Sequence, residues 1–328
     1  MVPRARILGT GRGVPSRVVS NDDLSKLVDT NDAWITERTG IRERRLIEDG
    51  RVTSDLATEA ARNACESAGI SPAELDCIVL GTVTPDMPMP ATAVYVQQKL
   101  GITGIPAFDL SAACAGFLYG LTIADSFVRA GQYRRVCVIG VEVLSRILDW
   151  SDRNTCVLFG DGAGAVIVGP SEDPSRGILS THIFADGACA PHLLIPGGGT
   201  LHPTTPQSVA DKLHHVKMNG REIFKNAVRN LSSASIAALE ANGMTAADVD
   251  LVVAHQANLR IIEAVAERIK LPLEKFHLNI QRYGNTSSAS VPIALDEALR
   301  EGKIQPGMRI LFSALGAGLS WGSAMLRW

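Results

Sequence analysis

The chain has no apolar run approaching the roughly 20 residues that a bilayer span needs, although hydrophobic residues fill 46% of its 328 positions. Charges, glycines or prolines break every run, so a soluble protein without a membrane partner is expected. Neither sign of charge is in excess. Thirty-two Lys plus Arg face 34 Asp plus Glu, a net charge of -2. No global field then selects nucleic acid or an anionic surface, and neither is expected as a partner. The six cysteines include no Cys-x-x-Cys and are sparse for the length, which argues against a zinc knuckle or a disulfide framework. The N-terminal MVPRARILGTGRG reaches glycines after too few apolar residues for a signal-peptide core, and a cytoplasmic location is expected.

Two glycine patterns are incomplete. GTGRGVP after the first strand-like run has Val14 where a dinucleotide loop needs its third glycine, and Pro15 follows. FGDGAGAVIVG, residues 159–169, lacks the Lys-Ser/Thr of a phosphate loop and runs into a strand. Close backbone approach at a central axis is the expected reason for both.

What the sequence does contain is one pattern written twice. GISPAELDCIVL at 69–80 matches GMTAADVDLVVA at 243–254, and further pairs (RILGTG with GILSTH, RRVCVIG with MRILFSA) keep offsets of 171–174. Before Gly69 and Gly243 lie Ala-rich segments of helical period, each glycine placed as a C-cap. Strands alternating with helices predict an α/β fold of two mixed, mainly parallel sheets related by a pseudo-dyad and layered with helices. The turn-forming GPSEDPSRG predicts a boundary between an N-terminal half, 1–172, and a C-terminal half, 173–328.

Cys114 opens a helix-like stretch of about five turns after the strand-like AFDL. There a helix dipole and free N–H groups would favour thiolate, although position alone reads first as a small core residue under a turn. His255 ends the apolar LVVA at a strand-to-helix corner, where ligands gather in such sheets. Adding 171 to Cys114 reaches Asn285 at the head of another helix-like stretch, so a thiol and an amide are expected to converge near the axis. The remaining cysteines read as core residues, the remaining histidines lack such a corner, and no metal site is expected.

DLSAACAGF around Cys114, HQANLR around His255, YGNTSSASVP around Asn285 and the terminal GAGLSWGSA resemble β-ketoacyl-[acyl-carrier-protein] synthase III, the initiating condensing enzyme of the thiolase-fold family. The similarity runs from the first strand to Trp328. It implies a thiolase-like duplicated fold and three catalytic residues, Cys114, His255 and Asn285. Cys114 would take an acyl group from acyl-CoA. His255 and Asn285 would support decarboxylation of malonyl-acyl carrier protein, and backbone N–H groups of Cys114 and Ala317 would hold the acyl oxygen. Trp34, Arg38, Arg153, Phe224 and Asn258 would bind coenzyme A, which is substrate; no cofactor is implied. Met89, reaching across a homodimer, and Leu315 would shape the acyl pocket, with Lys225 and Arg260 facing the carrier protein. Glu267 stands where the family commonly has Lys, and Ala317 and Leu315 replace a glycine and an aromatic residue. A specialised-pathway condensing enzyme and, in another class, a Cys-His-Asn hydrolase are the competing readings.

Overall fold

The computed structural model describes residues 4–328, so the first three residues of the N-terminal segment and of the expected first half lie outside it. The first sheet is built from β1 (Ala5–Gly13), β2 (Cys77–Gly81), β3 (Ala107–Leu110), β4 (Val136–Glu142) and β5 (Gly162–Pro170), in the order β1-β5-β4-β2-β3. The second is built from β6 (Gly177–Ala185), β7 (Leu251–Ala254), β8 (Arg309–Gly316) and β9 (Ser320–Arg327), in the order β6-β9-β8-β7. A parallel bridge from Val252 to Phe276 stands beside β7 where β3 stands beside β2. Each sheet therefore runs through two antiparallel pairs into parallel ones, which is the duplication seen in the sequence. Parallel pairs are no majority: in the first sheet the two kinds are equal, because β5 turns back along β4 instead of crossing over through a helix.

Strand alternation decides the layers. In β2 and β4, Val79 and Val138 face the centre of the molecule while Ile78, Leu80, Cys137 and Ile139 face outward. The outward set is covered by α2 (Thr53–Ser67), which follows a first helix α1 (Asp32–Thr39). Between the sheets lie α3 (Gly116–Arg129) and α6 (Ser290–Arg300), whose apolar faces share one core with strands of both sheets. The far face of the second sheet is covered by α4 (Gly220–Ala241) and α5 (Leu259–Arg268). Beyond α2 and α4, Gly69 and Gly243 take left-handed φ of 68° and 61°, the C-terminal geometry their positions predict.

The glycines separate into two groups. Side chains at Gly9, Gly11 or Gly13 would strike the backbone of α2, so this run admits the outer helix and not the central axis. The expectation holds for Gly164, where a Cβ would come within 2.8 Å of Pro292 on α6. No helix among the described residues is long and apolar enough to cross a membrane.

Candidate active site

Cys114 sits in the single 3-10 turn Ala113–Ala115 that leads from β3 into α3, which is 14 residues long and so about one turn shorter than expected. Ala113 adopts a φ of 45°, and Ser287, in the corresponding turn Ser287–Ala289 before α6, a φ of 50°. These two turns and the helices after them are offset by 174 residues. The pseudo-dyad therefore pairs Cys114 with Ser288, and Asn285 lies three residues upstream, outside the helix start. Its side chain still converges on the thiol, because the loop holding it is fixed by bonds from Asn285 N to the Leu158 carbonyl (2.9 Å) and from Gly160 N to its own carbonyl (3.0 Å).

A tunnel of about 650 Å³ brings Cys114, His255 and Asn285 together, with Leu315 on its wall. Asn285 Oδ1 accepts from the Ser287 backbone N–H at 2.8 Å, leaving its NH2 as the free donor. His255 is anchored by its N–H to the Ser313 carbonyl at 2.8 Å, and Ser290 Oγ stands 2.6 Å from Nδ1. Only Nε2 remains for the tunnel. When the Ser290 hydroxyl donates to Nδ1, Nε2 carries the ring proton. Burial pushes His255 down to about 3, so at neutral pH it is an uncharged donor. Two neutral donors fixed beside a thiol suit an oxyanion that forms during reaction.

Burial also acts on Cys114, against ionisation. It pushes the thiol up to about 12, with the Ser287 hydroxyl hydrogen bond working against it and the Glu142 charge adding to it. Resting Cys114 is a thiol, not the thiolate its position suggested. On one side of it opens an apolar cavity of about 150 Å³, bounded by Val83, Leu144, Ile147 and Phe159 with Ala317 at its edge. Leu193, Leu194, Ile195 and Val216 complete the wall from the C-terminal half. Ala317 stays near the thiol because Gly316 lies against the turn: a Cβ there would come within 2.9 Å of Ala113 Cβ.

At the tunnel's other end, the cap Asn31 accepts from Trp34 N at 2.8 Å and so fixes the start of α1. The Arg38 and Arg153 guanidinium carbons lie 4.7 and 5.3 Å from the Trp34 ring centroid. Arg153 also pairs with exposed Asp29 at 3.3 Å. Phe224, Asn258 and Arg260 line the tunnel. Asn258 is already committed: Nδ2 donates to the Arg38 carbonyl at 3.0 Å and Oδ1 caps α5. Leu315 belongs to this tunnel and not to the apolar cavity. Met89 is 83% exposed and touches neither space within its own chain. Lys225 is exposed on α4, and Glu267 on α5.

A model of the 3-oxoacyl-[acyl-carrier-protein] synthase III C-terminal region matches residues 239–328, and a model of 3-oxoacyl-[acyl-carrier-protein] synthase III matches 108–187. The β-ketoacyl-[acyl-carrier-protein] synthase III of Caldanaerobacter subterraneus subsp. tengcongensis is 52% identical over 324 residues, 99% of this chain and 98% of that one. The chain belongs to the β-ketoacyl-[acyl-carrier-protein] synthase III family. The crystal structure of the Aquifex aeolicus synthase III superposes with a TM-score of 0.91 at 49% identity, covering 99% of this chain and all (100%) of that one. The priming β-ketosynthase of the R1128 polyketide pathway also superposes at 0.91, with 38% identity over 100% of this chain and 98% of that one. The thiolase-like α/β architecture is thus shared across the synthase III family at full length.

Three site residues of this synthase III were not singled out in the sequence. Ser287 and Ser290 lie inside YGNTSSASVP but read as small helix-start residues until the turn aims one at Cys114 and the other at His255. Glu142 is the carboxyl that closes the apolar strand VCVIGVE, and it is fully buried. A carboxyl at the end of a core strand was the available clue.

Proposed function

We propose that this family member transfers a short acyl group from acyl-CoA to Cys114 and condenses it with malonyl-acyl carrier protein, releasing carbon dioxide and 3-oxoacyl-acyl carrier protein. In the cytoplasm this step would initiate fatty acid synthesis. The observation that carries the reading is one tunnel holding a thiol and two neutral donors, His255 Nε2 and Asn285 Nδ2, with an apolar cavity beside the sulfur. Covalent capture divides the reaction in two. The donors act in the second half, where loss of carbon dioxide places charge on the malonyl thioester oxygen. The Cys114 and Ala317 N–H groups receive the acyl oxygen, and Trp34 with Arg38 and Arg153 holds the nucleotide end of coenzyme A. Phe224 and Asn258 flank its pantetheine arm. Lys225 and Arg260 attract the acidic carrier protein, which Glu267 opposes.

Purified protein given acetyl-CoA and malonyl-acyl carrier protein is expected to yield the 3-oxoacyl carrier protein on a mass spectrum. Hydrolysis of acetyl-CoA without carbon–carbon bond formation would instead establish the Cys-His-Asn hydrolase. The likeness to the R1128 priming enzyme supports a second reading, entry into a specialised pathway. A strong preference for a carrier protein of that kind over a fatty acid carrier protein would select it.

The chain further reads as a homodimer and as two fused halves divided between residues 172 and 173, with β5 ending at Pro170 and β6 beginning at Gly177. Met87, Met89 and Val94 are exposed, and Thr92 between them donates its N–H to Asp109 of the edge strand β3 at 2.6 Å; this is an apolar surface that a second copy would cover. A cavity of about 150 Å³ takes an occupant about the size of benzene, and Met89 of the partner would set its depth. Met89→Phe is expected to shift primer preference toward shorter acyl-CoAs with malonyl decarboxylation unchanged. Competition among primers, with sedimentation to fix the oligomeric state, measures this; an unchanged profile in the folded variant refutes the shared pocket.

A further inference from the structure

The catalytic cycle as described leaves one atom without a place: the proton of the Cys114 thiol. A buried thiol held protonated cannot attack a thioester until something accepts that proton. His255 has Nδ1 against Ser290, and its Nε2 serves as a donor in the second half-reaction. The structure offers one other group. Glu142, at the end of β4, is completely buried, and its carboxylate accepts from Thr84 Oγ1 at 2.6 Å, Val83 N at 3.1 Å and Thr82 Oγ1 at 3.2 Å. Its Oε1 also takes the Ser287 hydroxyl at 3.1 Å. Ser287 lines the cavity with Cys114. A hydrogen-bonded pair of carboxylate and hydroxyl therefore stands in the wall of the cavity that holds the thiol.

We propose that Glu142 stores the Cys114 proton through Ser287 for the lifetime of the acyl-enzyme. This rests on the condensing function proposed above. In loading, the S–H proton passes to Ser287 Oγ while the Ser287 proton passes to Glu142, leaving a thiolate and a neutral carboxylic acid. The sulfur then bonds to the acyl carbon. The bond to the coenzyme A sulfur breaks, and coenzyme A leaves as a thiolate that takes a proton from solvent. In condensation the new carbon–carbon bond expels the Cys114 sulfur, which recovers its proton from Glu142 by the same route. The cycle consumes one solvent proton, as the overall conversion requires.

Charge explains why a store is useful. The Glu142 charge is one of the causes that raise the thiol pKa, and it vanishes in the same step that makes the thiolate, so the two groups share one negative charge. Glu142 then stays neutral while the enolate develops, and no buried anion opposes it. Burial pushes Glu142 up to about 7 against its hydrogen bonds from Thr84, Val83, Ser287 and Thr82, so it can hold or release a proton at working pH. The other titratable groups nearby are His255, kept neutral by burial, and Asp161 at the start of β5. Asp161 is bound to Ile47 N and to the backbone and hydroxyl of Ser145.

Single-turnover loading from acetyl-CoA, followed by intact mass between pH 6 and 9, tests the store. In the unmodified enzyme Glu142 must be ionised to accept, so loading should rise with pH through a midpoint near 7. Glu142→Gln should load on the order of 10²-fold more slowly at pH 8 and lose that midpoint, the size of a missing general base. Glu142→Asp should restore the midpoint, and Ser287→Ala should slow loading as Glu142→Gln does. Once acylated, Glu142→Gln should lose far less of malonyl decarboxylation than of loading, because glutamine mimics the neutral acid. Normal loading in folded Glu142→Gln or Ser287→Ala overturns the store, as does equal loss of both half-reactions, which marks a structural role. If Glu142→Gln does not fold, Ser287→Ala and the unmodified pH profile decide alone. Failure of the unmodified enzyme to load at all would instead overturn the proposed function.

Discussion

Cys114→Ala is expected to take up no acyl group from any acyl-CoA and to lose condensation by roughly 10⁴-fold or more, the scale of removing a covalent nucleophile. The other five cysteines give the experiment its control. Cys65, Cys77, Cys137 and Cys156 are buried away from both cavities, and Cys189 lies half-buried in the 3-10 helix Gly187–His192. Burial also raises the Cys65, Cys77 and Cys156 thiols to about 11, and none of them lines the tunnel or the apolar cavity that meet at Cys114. Intact-mass measurement after incubation with acetyl-, propionyl- and branched acyl-CoA, followed by peptide mapping, should find a single adduct on Cys114. An adduct on another cysteine, or acylation that persists in Cys114→Ala, refutes the assignment.

His255→Ala and Asn285→Ala are expected to separate the two half-reactions. Both should still load Cys114, and Asn285→Ala should lose malonyl decarboxylation by about 10²–10³-fold, the usual effect of deleting one preorganised donor. The loss with His255→Ala should be at least comparable. It removes the ring and also strands the Ser290 hydroxyl, now 2.6 Å from Nδ1, inside the protein. Ser290→Ala, which frees Nδ1 while keeping the imidazole, should fall between. Since His255 is depressed to about 3, protonation of this ring should not limit decarboxylation anywhere between pH 5 and 8. Carbon dioxide release measured separately from loading decides the matter. Decarboxylation at the normal rate in Asn285→Ala, or failure of either variant to load, contradicts the division of labour.

The sequence made the scaffold legible because duplication and strand periodicity are local signals. Gly69 and Gly243 mark the ends of two equivalent helices, and the apolar runs after them become β2 and β7. Cys114 and His255 could be singled out because each stands where such a run meets a helix, and their motifs placed Asn285 beside them. Reasoning by register failed where the repeats differ by a few residues: the fixed offset led to Asn285, while the fold pairs Cys114 with Ser288. The glycines of GTGRGVP failed for a related reason, since a missing side chain shows that something comes close without showing whether it is α2 or the axis.

Composition, repeat and motif by themselves determined the α/β class, the doubled order of elements and the three residues at the centre. The class and the order of elements follow from spacing along one chain, which the alternation of strands and the turn of a helix translate directly into faces; the three residues follow from the resemblance of their motifs. The protonation states were decided only by tertiary structure. Position at a helix start favours a thiolate at Cys114, whereas desolvation by residues far apart in sequence pushes the thiol up to about 12. The same enclosure neutralises His255 and brings Glu142, 145 residues from Ser287 along the chain, into the network around the sulfur. How much water a charge loses depends on every layer that closes over it, and no local stretch of sequence contains that quantity.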